Sequence, residues 1–166
     1  MRHFLFLFVL FSTSVYATTP WQGTVTYVTD GDTLWVQPSY KGLNDTLPRK
    51  IRIEGIDAPE ICQQYGEQSR NALKQLLLQK TVTIHTRRID DYGRQVAKII
   101  FQNQDVGTWL VSQGHAWSYH YRHSAGPYAV QEHAAQSVKR GLFAASSPVE
   151  PRFFRREHGS CHKPHN

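Results

Sequence analysis

Three short stretches of this chain alternate apolar and polar residues with a period of two, two more are short apolar runs of strand length, and turn-forming residues stand between them. Such alternation buries one face of a strand and wets the other, so it commits a chain to sheet. Gln22 to Thr29 carries Val25 and Tyr27 among threonines, Asp30-Gly31-Asp32 turns the chain, and Thr33 to Val36 resumes as a hairpin partner. After a loop-like stretch from Tyr40 to Pro48, Arg49 to Ile56 alternates basic and aliphatic residues until the break at Asp57-Ala58-Pro59. Thr81 to Arg87, with Val82 and Ile84, and Val96 to Phe101, after Tyr92-Gly93-Arg94, form a second pair.

Helical spacing separates the two groups of strands. From Gly66 to Gln79 the apolar residues Ala72, Leu73, Leu76 and Leu77 recur on one face. Asp105 can cap a short helix with Val106, Trp109 and Leu110 inward and Gly114 at its end, and a last helix runs from about Pro127 to Lys139, closed by Gly141. Three strands, a helix, two strands and two helices predict an α+β, mainly β chain, a five-stranded OB-fold-like barrel with three packed helices. The expected division is a leader over 1–17, the barrel over 18–143 and a basic, His-rich tail over 144–166.

The leader reading rests on Arg2 and His3, the apolar run Phe4 to Phe11, and small residues up to Ala17, after which cleavage is expected. A run this short is far below the ~20 residues needed to cross a bilayer, so a secreted or periplasmic protein without a stable membrane anchor is expected. An oxidising compartment changes the reading of Cys62 and Cys161. They either pair, closing a loop of about 100 residues that pins the tail beside Cys62, or remain free thiols. A third alternative groups His158, Cys161, His162 and His165 as a soft-metal site, without a recognised zinc spacing.

With 19 Lys and Arg against 13 Asp and Glu the formal charge is +6, which favours an anionic partner. The 4 Trp, 8 Tyr and 8 Phe can fill a core, and two cysteines exclude a disulfide-dense mini-protein. Charge alone does not separate nucleic acid from a membrane surface. Three segments do: Asp30-Gly-Asp32-Thr33, Arg52 to Glu60, and Asp91-Tyr92-Gly93-Arg94. Singly, each is explained as a turn. Together they supply what phosphodiester hydrolysis requires. Asp32 and Asp57 offer the oxygen ligands that Ca²⁺ prefers, Glu60 a base for water, and Arg52 and Arg94 planar forks for phosphate oxygens.

The motif order DGDT, then Arg52, Asp57 five positions on, Glu60 three further, and YGR, resembles the thermonuclease (staphylococcal nuclease-like) family over roughly Trp21 to Phe143. The resemblance implies that Asp32, Asp57 and the main-chain oxygen of Ala58 ligate Ca²⁺, that Arg52 and Arg94 bind the scissile phosphate, and that Glu60 is the general base. It implies cleavage of DNA and RNA to 3′-phosphate ends, with Tyr92 and Tyr119 or Tyr121 contacting the nucleotide. A monomer is expected. Ala58 departs from the threonine of the best-known member, which keeps the carbonyl and removes a hydroxyl.

Trp109 and Trp117 read as core, and Tyr119-His-Tyr121-Arg-His123 as an aromatic and basic platform or a solvated loop. Arg152-Phe-Phe-Arg-Arg156 offers phosphate or headgroup contacts, although isolated basic tails are more often solvated. The rival is a noncatalytic OB-fold nucleic-acid binder, which has no need of Asp32, Asp57, Glu60, Arg52 and Arg94 together. A surface adhesive rests on basicity alone.

Overall fold

β1 (Trp21–Val28) and β2 (Thr33–Pro38) form an antiparallel hairpin in which Val25 faces Val36 and Val28 faces Leu34. The computed structural model describes residues 19–39 and 47–161, so the leader and most of the loop before Arg49 lie outside it. Read through without interruption, the alternation in β1 would put Val25 and Tyr27 on one face. A register shift between those two residues reverses the parity, so Val28 is buried while Tyr27 is 58% exposed.

β3 (Arg49–Ile53) pairs antiparallel with β2, placing Thr33 opposite Arg52 and Leu34 opposite Ile51. It stops short of the expected Ile56. Gly55 adopts φ +78°, a conformation that favours glycine, and a Cβ there would lie 2.6 Å from the Pro127 ring. The chain turns at that point, and Ile56–Asp57 become a separate β4 that pairs with β8 (Trp117–Ser118). Arg52 and Asp57 are therefore presented by different sheets.

Helix α1 (Gly66–Leu77) buries Ser69, Leu73 and Leu77 at four-residue spacing. β5 (Thr81–Ile89) pairs with β1, and β6 (Gln95–Phe101) pairs antiparallel with β5 and in parallel with β3. These contacts close the expected five-stranded barrel in the order β3-β2-β1-β5-β6. A two-residue β7 (Gln104–Asp105) extends the sheet beside β6. Asp105 then caps α2 (Val106–Ser112), accepting the Gly107 N–H at 2.9 Å.

α3 (Ala129–Ser137), a short 3-10 turn (Gly141–Ala144) and α4 (Pro151–His158) complete the described chain. The fourth helix lies in the segment expected to be a tail. Pro151 suits its first turn, where no N–H partner is lost, and Arg155, Arg156 and His158 suit the negative end of its dipole.

Leu34, Ile51, Ile53, Ile84 and Ile99 of the strands and Leu110 of α2 are buried in one core, each contributing about 1.5–3 kcal/mol relative to exposure. Leu73 and Leu77 of α1 join the same core. Trp117 belongs to a smaller cluster and meets Phe143 edge to face at 4.8 Å, while Trp109 is partly buried against the barrel. Cys62 and Cys161 are disulfide-bonded, so the soft-metal alternative loses its thiolate; His162 and His165 lie outside the described residues. The bond spans 99 positions and ties the end of α4 to the turn after Glu60. For so long a loop the chain-entropy contribution is on the order of 4 kcal/mol.

His115 links α1 to the second half of the chain. Its carbonyl accepts the Ser69 hydroxyl at 2.6 Å, its Nδ1 lies 3.2 Å from the Tyr65 hydroxyl, and its ring stands between Tyr65 and Trp109. Burial pushes its pKa below the ordinary 6.5. The unfolded chain therefore binds a proton that the folded one resists, and stability falls as pH drops below about 6.5 until the lowered folded pKa is passed. Urea melts from pH 7.5 to 5 should show this loss, and His115→Phe should reduce it.

Candidate active site

The Asp30-Gly31-Asp32 turn is shaped by an Asx contact, the Asp32 N–H donating to Asp30 Oδ1 at 3.0 Å. Gly31 lies so close to α1 that a Cβ would come within 1.9 Å of Ser69 Oγ and 2.7 Å of the Ala58 methyl. The small residue between the two aspartates lets the turn meet both. Asp32, 4% exposed, accepts the Thr33 hydroxyl at 2.9 Å and the Ala58 N–H at 3.1 Å. That second bond joins the first motif to the second across 26 positions of sequence.

Arg52 projects from β3 between the two buried carboxylates. Its Nη1 pairs with Asp32 Oδ1, and its Nη2 donates to Asp57 Oδ1 at 2.9 Å and to the Ile56 carbonyl at 3.3 Å. Burial alone would raise the Asp32 pKa, but the Arg52 charge and the Ala58 N–H outweigh it and hold the carboxylate below its usual value. Asp30 goes the other way. Burial and the neighbouring Asp32 charge push it up to about 8. Desolvation opposes the Arg52 charge, yet the two aspartates raise its pKa further.

Glu60 sits on the turn between β4 and α1, where its N–H donates to Gln63 Oε1 at 3.1 Å. An arginine absent from the sequence-derived set reaches it. Arg155 of α4 donates from Nη1 to Glu60 Oε1 at 2.9 Å and to Asp57 Oδ1 at 3.1 Å, and from Nη2 to Asp57 Oδ2 at 2.9 Å. The solvated-tail expectation for Arg152 to Arg156 fails at this residue, because two acidic groups and a disulfide hold it in place. The available signal was Cys62, two positions beyond Glu60, together with the basic run just before Cys161.

Arg94 follows a tight turn organised by Asp90, whose Oδ1 accepts the Tyr92 and Arg94 N–H groups and whose Oδ2 accepts Arg94 Nε at 2.8 Å. Desolvation would raise the Asp90 pKa, but these donors and the Arg94 charge lower it. The Arg94 guanidinium lies 5.2 Å from the centroid of the Tyr92 ring, which is 84% exposed.

A cavity of about 1190 Å³ is lined by Asp32, Arg52, Glu60, Tyr92, Arg94 and Tyr119, and also by Arg155. Ala58 lines it as well; Asp57 does not, but it is bonded to two arginines that do. Tyr121 is exposed, bridges to Ser124 and stands outside this lining. Among the described residues, no group of three or more His, Cys, Asp or Glu side chains could hold a metal ion, and no helix is long and apolar enough to cross a membrane. Asp32 and Asp57 nevertheless converge on one cationic group, Arg52. Two buried carboxylates that share a positive charge, with the Ile56 carbonyl bonded to the same guanidinium, are hard oxygen donors of the kind Ca²⁺ takes.

Comparison with known proteins identifies the family. A family model described as staphylococcal nuclease homologue matches residues 50–145, a span that includes Arg52, Asp57, Ala58, Glu60 and Arg94. A protein of Haemophilus influenzae named an uncharacterized endonuclease is 37% identical over 134 residues, covering 80% of this chain and 72% of the relative. Another so named, from Escherichia coli O157:H7, is 35% identical over the same length, with 80% and 84% covered. The rice protein named probable staphylococcal-like nuclease CAN3 is 37% identical over 116 residues, which is 69% of this chain, and the chain spans 31% of its length. By these matches, and with the closed barrel, the chain belongs to the staphylococcal nuclease homologue family.

Proposed function

We propose that the protein is a hydrolytic nuclease, dependent on Ca²⁺, that cleaves phosphodiester bonds of DNA and RNA and leaves 3′-phosphate ends. The observation that carries this reading is Arg52 bridging Asp32 and Asp57 on the wall where Glu60 also stands. Family membership and the names of the relatives support it.

Asp32, Asp57 and the Ala58 carbonyl would hold Ca²⁺, which when bound supplies charge neutralisation at a phosphoryl oxygen. Arg52 and Arg94 bind the phosphate and meet the charge that builds on it. Tyr92 and Tyr119, exposed on the same cavity, offer faces for the nucleotide base or sugar. Glu60 takes a proton from water as its oxygen bonds to phosphorus. The bond from phosphorus to the 5′ oxygen breaks, and the leaving oxygen gains a proton from solvent, giving a 3′-phosphate and a 5′-hydroxyl. The Cys62–Cys161 bond and the apolar run near the start of the chain support an exported protein.

The test is incubation of the purified protein with single-stranded DNA and RNA, with Ca²⁺ or with a chelator. Cleavage that needs Ca²⁺ and yields 3′-phosphate ends is expected. Salt-sensitive binding with no cleavage under any condition would leave a noncatalytic nucleic-acid binder instead.

A further inference from the structure

We propose that Arg155 is a third phosphate-binding arginine of this site, delivered by α4 and held in register by the Cys62–Cys161 disulfide. The inference rests on the nuclease reading for the identity of the ligand, and its geometry comes from the far end of the chain.

Arg155 is not a stray contact of a loose tail. The Gln63 side-chain amide donates to the Val149 carbonyl at 2.7 Å just before α4, Pro151 is buried at its first turn, and the disulfide fixes the chain just beyond its end. Glu150, which precedes the helix, pairs with Arg152 at 2.7 Å and lies 3.7 Å from His120. Both ends of α4 are thus tied to the segment that carries Glu60. The guanidinium lines the same cavity as Arg52 and Arg94.

Donor arithmetic leaves capacity for an anion. A guanidinium has five N–H bonds, and the contacts to Asp57 and Glu60 use three of them. Nε and one Nη2 hydrogen remain, and the planar fork matches two phosphate oxygens. Charge argues the same way. Asp32 and Asp57 share the Arg52 charge and would hold Ca²⁺, while Glu60 adds a third carboxylate beside the cavity, paired with Arg155. Arg94 is engaged by Asp90. A further fixed cation lowers the repulsion that an entering phosphate meets.

The experiment is calorimetric titration of the intact oxidised protein with thymidine 5′-phosphate, which has no diester to cleave, beside steady-state cleavage of a single-stranded oligonucleotide. Arg155→Ala should weaken mononucleotide binding about tenfold to a hundredfold and raise KM more than it lowers kcat. Arg155→Lys should recover part of the loss, as a point charge without the fork. In a Cys62→Ser/Cys161→Ser background, checked for folding by circular dichroism, the effect of Arg155→Ala should shrink, because the helix is no longer held.

Unchanged binding and KM in Arg155→Ala would overturn the proposal. So would tighter binding, which would make the guanidinium a plug over the carboxylates rather than a ligand for phosphate. If the unmodified protein cleaves no polynucleotide, the nuclease reading falls while the mononucleotide titration still decides the role of Arg155. If it cleaves and Arg155→Ala binds the mononucleotide normally, the proposal falls alone.

Discussion

Replacing Arg52 with methionine should abolish detectable cleavage and destabilise the fold by about 3 kcal/mol. The side chain keeps its apolar volume but removes the only guanidinium shared by Asp32 and Asp57 among the described residues. Asp57 retains Arg155, so the loss concentrates on Asp32, which keeps the Thr33 hydroxyl and the Ala58 N–H but loses its countercharge. A buried carboxylate without a countercharge is what makes breaking such a pair costly. Urea denaturation reads the effect as a fall in midpoint of about 1.5 M at an m-value near 2 kcal/mol/M. A second substitution, Asp32→Asn, should restore part of the stability and none of the activity. Equal midpoints for Arg52→Met and the unmodified protein would show that the bridge contributes nothing to the fold.

Glu60→Gln should separate chemistry from folding. A general base contributes about 10² to 10⁴-fold in rate, so kcat should fall by at least about 100-fold while KM moves little. Stability should fall by no more than about 2 kcal/mol, because the carboxylate charge is lost but the amide oxygen still accepts a hydrogen bond from Arg155. The backbone contacts of the turn, from Gln63 N–H to the Glu60 carbonyl and from the Glu60 N–H to Gln63 Oε1, do not involve the substituted carboxylate. A kcat within a few-fold of the original would remove Glu60 from proton transfer and leave it as an anchor for Arg155.

Much of the site is encoded locally. The DGDT turn, the spacing from Arg52 to Glu60 and the YGR turn each lie within a few residues, where backbone geometry translates directly into side-chain placement. The strand alternation and the helical spacing from Gly66 to Leu77 are legible for the same reason. Tyr27 shows where that reading stops. One bulged position reverses the inward face of β1, and nothing in the period-two pattern announces it.

Short-range periodicity and motif spacing determined a basic chain with a five-stranded barrel, its first three helices and a set of acids and arginines suited to phosphodiester chemistry. Tertiary structure alone decided that β3 and β6 close the barrel in parallel, that Gly55 sends Arg52 and Asp57 to different sheets, and that Arg155 returns to them from 98 positions away. Those contacts depend on how far chain segments travel before they meet, and the entropy of closing such loops is repaid only once the barrel, the buried ion pairs and the disulfide form together.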